Sequence, residues 1–429
     1  MVATTPTYSQ LTFSPTGLSV DPIQLTCVLC GLFLLGTCVG GQLNRGIYRL
    51  AWRSRAISPW SAALPIAPRR RWADRIPVLG WFGLQRESAL HGTGFWLRPL
   101  ALELATGIGF ASLYWFEVVT VGVYSEPGMG QPGWATLHAQ YFAHLVLISL
   151  MLVATFIDFD EQTIPDAITV PGTLLGLALA ALWPASLPLV PEFGNVPIAW
   201  VTLTVSAPEP MPDWIMGPRG LACGLLCLWA WCFAIVPWIW TTRRGWRRAV
   251  WYLIASFFRR GASYLALLIG LPATLFLIVV WSVGDIWWQS LYTSLIGMAF
   301  GGGLIWAVRL VGGQALGQES MGFGDVTLMA MIGTFVGWQA TLVIFFLAPV
   351  AALFIAVTQW LLTRRRDIAF GPYLCLAALY VLLRWGILWQ ESLARIFSLG
   401  WYVPGMVAIG LVLMWAMLVI MRSFRERFA

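Results

Sequence analysis

Lysine is absent from this 429-residue chain, and histidine occurs only at 91, 138 and 144. So few imidazoles argue against a His-based metal site. Charged residues make up 10% of the chain, where a soluble domain carries about a quarter. That shortage excludes a soluble enzyme of this length. Cysteine is scarce too: seven residues, at 27, 30, 38, 223, 227, 232 and 375, all inside apolar runs. Cys27-x-x-Cys30 has redox or zinc spacing but no second ligand pair, so these read as small membrane-buried residues. There is no fixed-period repeat and no low-complexity tract. The first apolar run has no convincing cleavage site and is expected to be a retained span.

Apolar length is abundant. Hydrophobic residues make up 59% and the mean hydropathy is +0.76. Runs that suit bilayer crossing fall near 23–43, 99–121, 139–157, 168–186, 220–240, 262–283, 288–310, 340–362, 371–387 and 401–421, with a shorter one at 326–338. The expected fold is an all-α polytopic membrane protein with about 11 transmembrane segments. The 26 tryptophans suit interfacial belts. The net charge of +7 is carried by arginine alone, and in such a chain it is a topology signal rather than a nucleic-acid footprint. Residues 45–98 hold ten Arg against Asp74 and Glu87, and 243–260 hold six more. Residues 364–366 are Arg-Arg-Arg, and Arg422, Arg425 and Arg427 mark the tail. Residues 122–138 hold no Arg. The positive-inside rule then sets the N-terminus outside and the C-terminus in the cytoplasm. Parity works only if 326–338 crosses. The stretch 246–258 reads as an interfacial helix.

Two acidic clusters fall on the cytoplasmic side of this topology: "FIDFDEQTIPDAITVPG" at 156–172 and "ESMGFGDVTLMAMIGTFVGW" at 319–338. Asp158 closes one span and Asp325 opens the next run. A paired carboxyl can act as base toward water while its partner, protonated, acts as acid toward a peptide. That chemistry needs no metal and no Ser, Cys or His nucleophile. Gly322 and Gly324 permit a tight bend and close approach of a substrate strand. Pro165 ends a short loop, and Asp166 starts the next helix, where it reads equally as an N-cap. Asp160 and Glu161 read first as solvated loop acids.

The motifs, in order, are "GGQLNRGIYRL" (40–50), "RIPVLGWFGL" (75–84), "LRPLALELATG" (97–107), "IDFDEQTIPDAITVPG" (157–172), "MGFGDVTLMAMIGTFVGW" (321–338) and "FGPYL" (370–374). In these the chain resembles the type IV prepilin peptidases, membrane aspartic proteases of the G-x-G-D class. The resemblance implies that Asp158 and Asp325 are the catalytic pair, with Gly322, Gly324, Pro165 and Asp166 as motif support. It implies prepilin or pseudopilin substrates, cleaved at the end of a short basic leader at the cytoplasmic face of the bacterial inner membrane. It also implies a possible second activity, N-methylation from S-adenosylmethionine. Asn44, Glu103, Asp160 and Glu161 are the candidates for substrate contact or that second activity.

Three departures qualify it. The 45–98 loop lacks the Cys pairs of many relatives, so zinc is not expected, and methylation is left open. Thr327 stands where the family has Lys. The spacing of the two aspartates implies an insertion. The expected organisation is a first span (1–44), the cytoplasmic loop (45–98), a core with the first aspartate (99–184), an inserted module with two extra spans (185–285), a core with G-x-G-D (286–387) and an added C-terminal span (388–429). No cofactor is needed for proteolysis. The rival readings are a catalytically altered paralogue with a scaffold role in pilus or type II secretion assembly, and a transporter. The transporter lacks support from midplane helix breaks or an inverted repeat.

Overall fold

A computed structural model describes residues 21–63, 65–124, 130–192, 199–236, 261–317, 321–363 and 369–428. The expected interfacial helix at 246–258, Glu319 and the arginines at 364–366 lie outside the described residues. The helices are α1 (Pro22–Leu50), α2 (Leu79–Leu84), α3 (Ser88–His91), α4 (Leu97–Tyr114), α5 (Trp134–Glu161), α6 (Asp166–Leu182), α7 (Pro218–Ile235), α8 (Gly261–Val283), α9 (Asp285–Leu316), α10 (Phe323–Thr363), α11 (Gly371–Leu388), α12 (Ala394–Phe397) and α13 (Tyr402–Phe428). Short π-helical segments extend α4 (Trp115–Val119) and α11 (Trp389–Leu393). Two four-residue strands, Leu189–Glu192 and Ala199–Thr202, are the described sheet.

Backbone polar groups in a bilayer must be satisfied within the segment, so helices are the natural element here. Among the described residues, nine helices are long and apolar enough to cross, and Asp166–Leu182 is a shorter apolar one. Their ends follow local chemistry. The Asp21 carboxylate accepts from Ile23 N–H at 3.0 Å, with Pro22 in the first helical position. The α5 helix stops at Gln162, in the left-handed region at φ 53°, where its N–H reaches Asp158 O at 2.8 Å.

The chain forms two compact units. The first comprises 1–165 with 191–201 and 382–387. In it α1 packs along α4 through small residues. A Cβ on Gly36 would stand 2.8 Å from the Gly107 Cα, and one on Gly40 2.8 Å from the Glu103 Cα. Backbones meet this closely only where side chains are missing, which gives helix pairs in lipid their packing.

The second unit comprises 166–190, 202–381 and 388–429. Its centre is α9 against α10. A straight α10 of 41 residues would be about 60 Å long, twice the bilayer core. It is not straight: Gly337 has φ 74° and ψ 173°. Before Gly337 the helix runs antiparallel to α9, with Gly333 opposite Gly297 and Met329 opposite Gly301. After it the direction reverses, so Trp338 meets Phe300 and Thr341 meets Gly301. The helix is therefore a hairpin with a short first arm. Counting its arms separately and including α6, the described residues hold eleven apolar segments. Helices α7 and α8 pack on α9, with the Trp288 indole N–H donating to Ile215 O at 2.8 Å. The stretch read as an insertion thus contributes to the core of this unit.

The α9–α10 contact generates a direct test. A Cβ on Gly297 would lie 2.1 Å from the Gly333 carbonyl oxygen, whereas one on Gly303 meets nothing within 4 Å. Gly297→Val should therefore destabilise the purified protein by about 1–3 kcal/mol and lower its thermal midpoint. Gly303→Ala should leave that midpoint unchanged.

Candidate functional site

Asp158 and Asp325 belong to different units, and each has its own local setting. Asp158 lies in the last turn of α5 and is 5% exposed. The Arg98 guanidinium, in the first turn of α4, stacks over the Phe156 ring at 4.8 Å. The same group donates to both Asp160 carboxylate oxygens at 2.8 Å and to Phe156 O at 3.4 Å. Glu161 accepts from the Trp52 and Arg53 backbone N–H groups at 2.6 and 3.0 Å, tying the exit of α1 to the end of α5. Asp160 and Glu161 lie in the last turn of α5 rather than in a loop; Asp160 is exposed to solvent as expected, and protein groups also hold both carboxylates.

Asp325 lies in the first turn of α10 and is 8% exposed. Carboxylates are favoured at helix N-termini by the dipole. Its Oδ2 lies 3.7 Å from where a Cβ on Gly322 would stand, ordinary van der Waals distance, so the Gly322 turn lies against the carboxylate. Thr327, at the family's Lys position, donates its hydroxyl to Gly324 O at 3.1 Å and adds no charge. A cation approaches from α9 instead, where Arg309 sits over the Phe323 ring at 5.7 Å. Pro165 and Asp166 fall on either side of the boundary between units; Asp166 opens α6 and is exposed.

Asn44 and Glu103, the candidates for a second activity, are 2% exposed and meet in the first unit. The Asn44 amide donates to Pro99 O at 2.9 Å and to a Glu103 oxygen at 3.4 Å; the other Glu103 oxygen accepts from Val78 N–H at 2.6 Å. Beside them is a cavity of about 380 Å³, lined in part by Gln42, Trp60, Asp74, Arg75, Trp81 and Glu103. Arg75 lies over the Trp60 ring at 5.4 Å.

The Cys-free loop is organised around Arg70. Its guanidinium pairs with both oxygens of the fully buried Glu87, at 3.0 and 2.8 Å. It also donates to the carbonyls of Ala56, Ser58 and Ser61 at 2.6–2.9 Å. Five such bonds from one planar fork close the loop as a bound ion would. A second pair joins Arg86 to Asp74. Burial alone would raise the Asp74 carboxyl. The Arg86 hydrogen bond, the Arg71 N–H and the guanidinium charges reverse this and hold it below the usual carboxylate value.

Sequence reading missed Arg98, Arg309 and Arg70, because an arginine's partner lies far along the chain and no local spacing signals it. It also passed over the His144–Glu117 pair within the first unit, at 2.7 Å and buried. Among the described residues, no group of three or more His, Cys, Asp or Glu is placed to hold a metal ion.

The family model described as the type IV leader peptidase family matches residues 263–357. That span contains Asp325 but not Asp158, and it begins inside the stretch read as inserted. Over that stretch the chain is similar to the type IV leader peptidases. It is 33% identical over 150 residues to the prepilin leader peptidase/N-methyltransferase of Myxococcus xanthus, covering 35% of this chain and 39% of that protein. It is 31% identical over 152 residues to the one from Klebsiella pneumoniae, covering 34% and 59%. To the Escherichia coli protein it is 33% identical over 92 residues, covering 21% and 41%. The chain thus matches about two fifths to three fifths of the length of these relatives. No solved structure matches it. Its apolar helices and these leader-peptidase relatives together make it a multi-pass protein of the bacterial inner membrane.

The loop yields two expectations. Arg70→Gln leaves the Glu87 carboxylate buried without its guanidinium, a loss of about 3–5 kcal/mol in comparable cases. Limited proteolysis should then cut within 45–98 in the variant and spare the parent protein. Asp74 is lowered in the folded state, so its contribution is complete above the unfolded value near pH 4 and is lost as pH falls through the lower folded value. Pepsin susceptibility of the loop should rise across that acid window, and Asp74→Asn should remove this part of the pH dependence.

Proposed function

We propose that the protein is a membrane aspartic endopeptidase that removes the short basic leader of type IV prepilin or pseudopilin precursors at the cytoplasmic membrane face. The observation that carries the reading is two buried carboxylates, Asp158 and Asp325, each at the end of an apolar helix and each inside a leader-peptidase motif. A pair of carboxyls can share a single proton, so that one is ionised while the other is protonated. In the active state one aspartate is ionised and takes a proton from water, whose oxygen attacks the peptide carbonyl carbon. The other, protonated, gives its proton as the C–N bond breaks, so the new chain leaves as an amine. Burial keeps bulk water from competing for those protons.

The cavity beside Glu103 favours a second reading, methylation of the new N-terminus. Its lining suits parts of S-adenosylmethionine: Arg75, already stacked on the Trp60 ring, for a carboxylate, and Gln42 and Glu103 for hydroxyl and amine groups. When bound, that molecule would supply a methyl group. Here the chain's part is to hold it and to shield the site with the Arg70-closed loop, without zinc.

Asp158→Asn and Asp325→Asn should each abolish leader cleavage in membranes while insertion and protein level stay normal. Immunoblotting of precursor and product checks this; cleavage at the parent rate by either variant contradicts the assignment.

A further inference from the structure

The two aspartates share a local pattern that the motifs do not require. Each follows a phenylalanine by two residues: Phe156-Ile157-Asp158 and Phe323-Gly324-Asp325. Each of these rings carries an arginine from a different helix of its own unit, Arg98 at 4.8 Å and Arg309 at 5.7 Å. We propose that Arg98 and Arg309 are positioning residues, each fixing the helix end that bears one of the catalytic aspartates by gripping the phenylalanine two residues before it. This rests on the peptidase reading above.

In the first unit the grip spans the turn that holds Asp158. Arg98 touches the ring and carbonyl of residue 156 on one side and the carboxylate of residue 160 on the other. Asp158 lies midway between these anchors, so its turn cannot rotate or fray without breaking one of them. Arg98 and Asp160 side chains are 38% and 24% exposed, and exposed pairs of this kind contribute little to global stability. The consequence of the contact is therefore local geometry. In the second unit Phe323 is the first residue of α10, at the helix end where fraying is easiest and glycines flank it. Arg309 projects from α9, the helix that α10 packs against, and pins that ring. It also brings a positive charge to the G-x-G-D turn, where Thr327 replaces the family's lysine.

The two grips differ chemically. Arg98 needs a planar fork, because one of its terminal nitrogens binds the Asp160 carboxylate and the other the Phe156 carbonyl while the group stacks on the ring. Arg309 needs a cation on a ring, which lysine also provides.

The test uses the full-length protein in proteoliposomes. Its substrate is a co-reconstituted precursor with a short basic leader ending in Gly and an apolar helix after it. Arg98→Gln and Arg309→Gln should each lower kcat by about tenfold to a hundredfold, the range a misplaced catalytic group produces. KM and thermal midpoint should change little. Arg309→Lys should restore most of kcat and Arg98→Lys should not. A Gln variant at parental kcat, or a loss of kcat that merely follows a loss of folded protein, overturns the proposal. Asp158→Asn and Asp325→Asn run alongside. If they retain cleavage, the peptidase reading itself fails. If they are inactive while both Gln variants are normal, only the positioning role fails.

Discussion

The second unit depends on one constraint: α9 and the first arm of α10 meet backbone to backbone at Gly297 and Gly333. In lipid, helix association gains little from burying apolar surface, so close van der Waals approach and internal hydrogen bonds must supply the cohesion. The Ser294 hydroxyl adds to it by donating to Thr334 O at 2.6 Å. The corner at Gly337, with its positive φ, then lets the second arm return along α9. A short arm held this tightly puts Asp325 at a helix start, against the Gly322 turn. The first unit repeats the logic with Gly36, Gly40 and Gly107, and Asp158 sits at the far end of a helix packed on that pair.

A different physics holds the loop between α1 and α4. It has no cysteine to ligate a metal, and its composition is too basic for a large apolar core. One arginine, fully engaged with a buried glutamate and three carbonyls, takes the closing role. Such a pair is costly to break rather than strongly stabilising in itself, which suits a loop that must keep one shape beside Glu103 and its cavity.

Much of this was legible in the chain, for identifiable reasons. Apolar runs mark bilayer segments because the solvent is uniform and the period is long; even the split between 326–338 and 340–362 anticipated the corner at Gly337. The helix end at Asp158 and the helix start at Asp325 were legible because their signals in the chain are local. Pairings were not. Nothing near Asp160 or Glu161 announces Arg98 or the N–H groups of Trp52 and Arg53, and the bland reading as solvated acids followed from that. The same holds for Arg70 with Glu87 and for His144 with Glu117, where partners are far apart in sequence and only packing unites them.

The proposed activity is hydrolysis of a leader by two membrane-boundary carboxylates. It is tested most directly by co-expressing the protein with a type IV prepilin and measuring the mass of the product's N-terminus. The predicted result is a chain shortened by its basic leader, and an added methyl mass would mark the second activity. A product of unshortened mass, with the protein present in the membrane, would contradict the account.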